Sequence, residues 1–201
     1  MMEPEKVQSQ SALLPPPTAL AEQGKVHALE ANHSLALVYY RAAMHQASES
    51  TRSNQILSRY FAECALESFE QMKDYDSVLA YCDQAITHYE ANPPSSPIAW
   101  KDLASMYQRR TIVHLKRNES DQAEKAIHEV KTIAREQSLN FPLIETISNW
   151  LRAKLHIDPQ RLESVLQQKG YYAITPKTVD PKIAAKLPPH ILQSFQPGSA
   201  R

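Results

Sequence analysis

The residues best suited to metal binding or catalysis in this chain of 201 residues are eight histidines and two cysteines. Cysteine and histidine bind zinc when they recur at short fixed spacings, and a catalytic cysteine needs a histidine partner. Cys64 and Cys82 have no such spacing, and the histidines stand singly, without a His-Glu-x-x-His pair. The sequence therefore predicts no metal site and no cofactor.

Hydrolytic and phosphate-binding motifs are missing as well. No nucleophile elbow, ordered Ser-His-Asp set or glycine-rich phosphate loop occurs in the sequence. Glycine supplies the positive φ that phosphate loops and tight hairpins need, and the chain has 3 glycines against 14 prolines. We predict that the protein is not an enzyme and that most β architectures are excluded.

Tyrosine is the other residue type with binding chemistry, because its ring offers apolar area and its hydroxyl a hydrogen bond at small entropic cost. A tyrosine-rich surface could line a groove for a peptide, and the same residues could equally pack between helices. We expect most of them to pack. The candidates are Tyr39, Tyr40, Tyr60, Tyr75, Tyr81, Tyr89 and Tyr107.

Charge and the chain's start indicate a neutral cytoplasmic protein. Lys and Arg number 22, as do Asp and Glu, so no net field attracts nucleic acid or an anionic membrane. Residues 1–17 lack a basic head and end in three prolines, which predicts a flexible tail and neither a signal peptide nor a membrane span. We expect a reducing compartment and buried thiols at Cys64 and Cys82, with a disulfide as the alternative.

The elements that position these side chains are helices. From residue 18 the apolar pattern is helical for about 140 residues and is interrupted near residues 31–34, 48–53, 73–76, 92–97, 118–121 and 138–142. These interruptions separate seven helices, the seventh over residues 142–156, and an eighth is predicted over 159–169. Ser96 before Pro97 and Asp158 before Pro159 are N-cap signals, and Gly170 is a C-terminal signal.

A self-comparison shows a faint internal repeat. A small or β-branched residue is followed four residues later by a larger one and seven later by another small or β-branched residue, which places all three on one helical face. The pattern occurs three times, at positions 36, 40 and 43, at 78, 82 and 85, and at 123, 127 and 130.

On these residues the chain resembles a tetratricopeptide repeat protein over residues 18–137. The first repeat carries Leu20, Gly24, His27, Ala36, Tyr40 and Ala43; the second carries residues 73–79 with Tyr81, Cys82, Ala85 and Ile86; the third, with Trp100, Leu103, Ala104 and Tyr107, fits less well. The repeats recur after 42 and 45 residues, whereas this family recurs after about 34. We assign the surplus to lengthened first helices over residues 51–72 and 97–117, and a generic long-helix solenoid remains the alternative.

We therefore predict an all-α fold: a right-handed α-solenoid of about three long hairpins with C-terminal capping helices. The predicted domains are a flexible tail over 1–17, the repeat domain over 18–157, and a short helix with an irregular segment over 158–201. Residues 171–174 either cap the last hairpin or form a motif for a partner, and we favour capping; we expect the final ten residues to be disordered.

The resemblance implies that first helices line a concave surface. Our candidates for partner contact on that surface are Lys25, Tyr60, Tyr107 and Arg109. Some members of the family bind the C-terminal carboxylate of heat-shock chaperones with five Lys, Asn and Arg side chains. The matching positions hold Ala21, Lys25, Cys64, Ser105 and Arg109, of which Arg109 alone agrees, so that ligand class is doubtful.

As a function we predict a non-catalytic interaction module, an adaptor, assembly factor or chaperone-like subunit that binds a peptide or a partner helix. The protein partner is the only partner expected, without nucleic acid or membrane insertion. The alternatives are a structural subunit held in a large complex through its outer faces and C-terminal tail, and a divergent accessory domain of an enzyme.

Overall fold

A computed structural model describes residues 14–48 and 54–194, and within these residues the chain is helical without a strand, which confirms the predicted all-α class. The helices are α1 Pro17–Leu29, α2 His33–Ser48, α3 Asn54–Gln71, α4 Tyr75–Ala91, α5 Pro97–Lys116, α6 Ser120–Glu136, α7 Pro142–Arg152, α8 Pro159–Gln168 and α9 Pro189–Ser194.

Most helix bounds follow the sequence-based prediction within a few residues. The long first helices are present, with 18 residues in α3 and 20 in α5. Two predictions need correction: α7 ends four residues early, at Arg152, and the short helix α9 lies where an irregular segment and the start of a disordered end were expected. Residues 1–13, 49–53 and 195–201 lie outside the described part of the chain. The flexible tail therefore stays a prediction over residues 1–13, and the disordered end stays one over residues 195–201.

Side-chain caps explain where several helices begin. The carboxylate of Asp158 accepts the backbone N–H of Arg161 at 2.9 Å, and the hydroxyl of Ser96 accepts that of Ala99 at 3.2 Å. Both predicted N-caps are thus confirmed, each with proline in the first turn. Asp74 caps α4 in the same way, and these acceptors satisfy amides that have no partner within the helix.

One backbone device ends six of the helices. A residue in the left-handed region follows α1, α3, α5, α6, α7 and α8, and the next amide bonds back to a carbonyl five residues earlier, as Asp74 does to Phe69 at 2.9 Å. Gly170, with φ of 65°, confirms the predicted C-terminal glycine. The other five positions are Ala31, Lys73, Asn118, Ser138 and Lys154, whose φ values lie between 52° and 60°. The chain therefore ends helices with little glycine, at a strain that glycine would avoid.

The chain forms two compact units, one of residues up to Ala65 and from Pro176 onward, the other of Leu66–Thr175. This division cuts α3 and does not follow the repeat-based domain boundaries, which stay a prediction. In the first unit α1 packs on α2, and its core includes Leu20, Val38, Phe61 and Leu187.

Small residues of α1 and α2 are buried, and one of them lies at the contact between the two helices. Ala36 and Ala43 are fully buried, and a Cβ built on Gly24 would lie 2.5 Å from Cε1 of the buried Tyr40 ring. Position 24 therefore admits no side chain unless the Tyr40 ring moves.

In the second unit α5 packs against α4 and α6, and α6 against α7. Its core contains Val78, Met106, Ile112, Val130, Ile144 and Leu166. Cys82 lies in this core and Cys64 in the other unit's part of α3, both as buried thiols without a disulfide, as expected. Each helix of residues 14–48 and 54–194 is too short or too polar to traverse a lipid bilayer.

Candidate functional site

Two buried carboxylates near the end of α3 form the most unusual chemical feature of the second unit. Glu67 is 5% exposed and Glu70 2% exposed. They are three residues apart, which places them on the same side of the helix. A buried charge costs several kcal/mol unless cations and hydrogen-bond donors compensate for the lost water, so the partners of these two groups identify what the surface is built to hold.

Glu70 is the centre of a charged cluster. Its Oε2 accepts a hydrogen bond from Nζ of Lys116 at 2.9 Å, and its Oε1 accepts one from the hydroxyl of Tyr171 at 2.6 Å. Arg109 also donates to Oε1 through Nη1. Arg109 and Lys116 lie two turns apart on α5 and therefore share a face. The cluster joins α3, α5 and the segment that follows α8.

Glu67 binds main-chain groups. Its Oε2 accepts the backbone N–H of Ala173 at 2.7 Å and that of Ile174 at 3.2 Å. The pKa of Glu67 is raised to about 7, chiefly by burial and in part by the nearby Glu70 charge. The hydrogen bonds from the two amides and the charge of Arg109 act in the opposite direction. A carboxylate oxygen that accepts two consecutive amides holds a bend of the main chain, because successive N–H groups of an extended chain point to opposite sides, and Ala173 lies in such a bend.

Aromatic contacts complete the packing of residues 171–174 on this face. The Arg109 guanidinium lies 5.1 Å from the centre of the Tyr171 ring, and Nζ of Lys116 lies 5.5 Å from that of Tyr172. The Tyr172 hydroxyl donates to Glu163 at 2.6 Å, and burial together with Glu163 raises the pKa of Tyr172. The segment thus contacts α3 and α5 through their charged side chains, and capping of the last hairpin's apolar face stays a prediction. We name the side chains of Glu67, Glu70, Arg109 and Lys116 the carboxylate face.

A cavity of about 420 Å³ adjoins the carboxylate face. Glu70, Lys116 and Tyr172 line it on the charged side, and Leu115, Ile157 and Leu162 on the apolar side. A second cavity of about 720 Å³ between α6 and α7 carries scattered charges of both signs, including Lys131, Arg135 and Glu145. Neither lining contains a group that defines one ligand class.

The first unit also uses helix side chains to hold main-chain groups outside the helices, here at a turn that includes Thr178. Nζ of Lys25 on α1 donates to Glu22 at 2.5 Å and to the main-chain oxygen of Thr178 at 3.1 Å. Oε2 of Glu22 accepts the backbone N–H of Asp180 at 2.9 Å. Burial alone would lower the pKa of Lys25, but hydrogen bonds with Glu22 and Tyr60 outweigh it and the pKa is raised.

The four residues predicted to contact a partner fall in different surroundings. Lys25 and Tyr60 are brought together, with Nζ 5.0 Å from the ring centre; Lys25 is buried and Tyr60 is 38% exposed. Tyr107 and Arg109 are two residues apart on α5 and so do not share a face. Arg109 is buried in the cluster around Glu70, whereas the half-buried Tyr107 ring lies 5.9 Å from Arg110. Their role in binding stays a prediction.

Sequence reasoning missed the acidic half of both surfaces. Glu22, Glu67 and Glu70 are of a residue type that usually remains exposed, so the sequence predicts no buried role for them. One signal was available: residues 61–70 contain Phe61, Cys64, Leu66 and Phe69 spread around the helix, which is typical of a helix buried on most sides. A carboxylate in such a helix must have a buried partner.

No metal centre is built from these groups, since nowhere in the described part do three or more His, Cys, Asp or Glu side chains lie together so that they could hold a metal ion. Comparison with known proteins adds no relative: neither a protein-family model, nor a curated protein, nor a solved structure matches the chain.

Proposed function

We propose that the protein is a non-catalytic interaction module whose first helices, stacked as a tetratricopeptide-like right-handed solenoid, bind a peptide or a helix of a partner protein. The observation that carries the proposal is the bond from Lys25 to the main-chain oxygen of Thr178, paired with the bond from the Asp180 amide to Glu22. Lys25 is one of the positions that the repeat resemblance assigns to partner contact. Backbone recognition by side chains held on helices is the chemistry that a peptide-binding module needs.

The physical advantage of such a module is preorganisation. Lys25 is held by Glu22 and lies against Tyr60, so its ammonium does not lose rotamer freedom when a peptide carbonyl arrives. The cost of ordering then falls on the partner segment, and less of the contact energy is lost on binding. An adaptor or assembly factor in the cytoplasm is the role that fits this chemistry.

A peptide-display selection on the full chain tests the proposal. We expect enrichment of peptides that bind the purified protein in solution with 1:1 stoichiometry in calorimetry. Tyr60→Ala should weaken binding of peptides held by the first unit, because it removes an exposed ring beside Lys25. Leu29→Ala is the matched control, since Leu29 is an exposed apolar residue of the same unit at 45% exposure. If no selected peptide binds in solution, the proposal is wrong.

The alternative, a structural subunit, draws on one observation: large apolar side chains are exposed at Ile98, 71%, and Ile183, 51%. A subunit that normally covers such residues would self-associate when made alone. Light scattering coupled to size-exclusion chromatography separates the two roles. A monomer or dimer that stays monodisperse at high concentration supports the interaction module, and progressive aggregation supports the structural subunit.

A further inference from the structure

We infer that the carboxylate face of the second unit is a binding site for a partner peptide that carries a tyrosine and bends after it, so that its main-chain N–H groups two and three residues later both point to Glu67. The chain's own residues 171–174 occupy that site in the structure described here. The inference rests on the proposed function and names the partner chemistry of one surface.

The resident segment shows what the site reads. Its tyrosine hydroxyl, at position 171, bonds to Oε1 of Glu70 at 2.6 Å, and its amides at positions 173 and 174 bond to Oε2 of Glu67. The Tyr171 ring also lies over the Arg109 guanidinium, 5.1 Å away. The hydroxyl oxygen of Tyr172 also accepts a hydrogen bond from Nζ of Lys116, at 3.4 Å. Two aromatic side chains and two backbone donors thus contact the carboxylate face.

The two carboxylates of the site have cations beside them that do not belong to residues 171–174. Glu70 keeps the cations of α5, Arg109 and Lys116, whether or not a tyrosine hydroxyl is present. The carboxylate that receives the amides, Glu67, stands next to an existing positive charge on Arg109. The helices therefore present an ordered donor and acceptor set, which residues 171–174 fill without forming a helix or strand of their own.

Backbone recognition makes the site tolerant of the partner's sequence except at the two tyrosine positions, whose side chains contact Glu70, Arg109 and Lys116. A phenylalanine would keep the contact with Arg109 and lose the charge-assisted bond to Glu70. A proline at either of the two amide positions would remove one N–H donor, so the buried carboxylate of Glu67 would lose one of its two hydrogen bonds from the peptide. Within the chain the resident segment competes at high effective concentration, so a partner must bind more tightly than the segment alone would.

The test uses the full chain and a fluorescein-labelled peptide, acetyl-Lys-Gly-Tyr-Tyr-Ala-Ile-Thr-Pro-amide, which has the sequence of residues 169–176. In the chain carrying Tyr171→Ala the resident contact is weakened, and we expect the peptide to bind in fluorescence anisotropy at least about tenfold more tightly than to the wild-type chain. Replacing the first peptide tyrosine by phenylalanine, or methylating the alanine amide, should each weaken binding by about tenfold or more, the loss expected for a bond to a charged group.

Circular dichroism verifies that the Tyr171→Ala chain is folded, and Tyr171→Phe is the second variant if it is not. In the wild-type chain, saturating peptide should speed hydrogen exchange at the amides of residues 173 and 174. A folded variant that binds neither the parent peptide nor its analogues overturns the inference and leaves the segment a permanent cap. If peptides from the display selection bind the protein without displacing the labelled peptide, the inference is wrong and the proposed function stands. If the display selection yields no binding peptide, both the inference and the proposed function are wrong.

Discussion

Replacing Glu67 by glutamine should change how the stability of the protein depends on pH. The side chain is 5% exposed, and burial raises its pKa from 4.5 to about 7, opposed by the amides of Ala173 and Ile174 and by Arg109 and assisted by Glu70. A carboxyl whose pKa is raised on folding binds its proton more tightly in the folded state. Its stabilising contribution is therefore complete below about pH 4.5 and is lost as the pH rises through about 7.

The size of the effect follows from the two pKa values. At about 1.4 kcal/mol for each pH unit between them, the folded protein loses about 3 kcal/mol from this group between pH 4.5 and pH 8. Glutamine keeps an oxygen that can accept both amides but cannot ionise. The difference in unfolding free energy, wild type minus Glu67→Gln, should therefore fall by about 3 kcal/mol across that range.

Urea unfolding followed by circular dichroism at half-unit pH steps measures that difference, and the other titrating groups cancel because both proteins share them. A second measurement assigns the effect to the residue: in protein labelled with ¹³C at glutamate carboxyls, the resonance lost in Glu67→Gln should titrate near pH 7. Parallel stability curves would refute the reasoning. So would a difference that grows with pH, because it would mean that the amides and Arg109 outweigh burial.

Three further changes test the packing and the helix ends by the same urea assay. Gly24→Ala should cost about 1–2 kcal/mol, because its Cβ would lie 2.5 Å from the Tyr40 ring and the overpacking exceeds the gain in helix propensity; equal stability would show that Tyr40 moves aside freely. Lys154→Gly should stabilise by about 0.5–1 kcal/mol, since φ there is 52°, whereas Lys154→Ala should not. Ser96→Ala should cost about 1 kcal/mol by removing the cap of α5, and Ser96→Asp should retain it; matching losses in both would argue against the cap.

Helix positions were predictable because their causes are local. Ser96 and Asp158 are each followed by a proline and an apolar segment. The first residues of α5 and α8 can therefore be predicted from a short stretch of sequence. The end of α7 could not be predicted in this way. It depends on Lys154, which adopts a left-handed conformation that lysine disfavours, and no residue type in this segment indicates that conformation. Helix α9 was missed for a related reason: six residues after two prolines contain too few turns for a periodic pattern.

The small-residue contacts were predictable from their period, yet burial of charge was not. Ala36 and Ala43 share one face of α2 and are fully buried, and Gly24 of α1 lies against the Tyr40 ring of that helix. Lys25 and Arg109 were expected to face a partner because the resemblance to tetratricopeptide repeats places them on first helices, which line a concave surface in that family. Both are buried, since each has a carboxylate beside it, Glu22 for the lysine and Glu70 for the arginine.

The pairing that buries Arg109 spans 39 residues, and the amide contact of Glu67 with Ala173 spans 106. Local patterns carry no information at such separations, and without aligned relatives the sequence offers no substitute. The chemistry of the carboxylate face is therefore decided by a segment that has no helical period of its own, residues 171–174. Sequence reasoning could single out residues 171–174 as an apolar segment after the last long helix, but it could not place their tyrosine and amides on Glu70 and Glu67, because no local pattern links α3 to a segment about a hundred residues later.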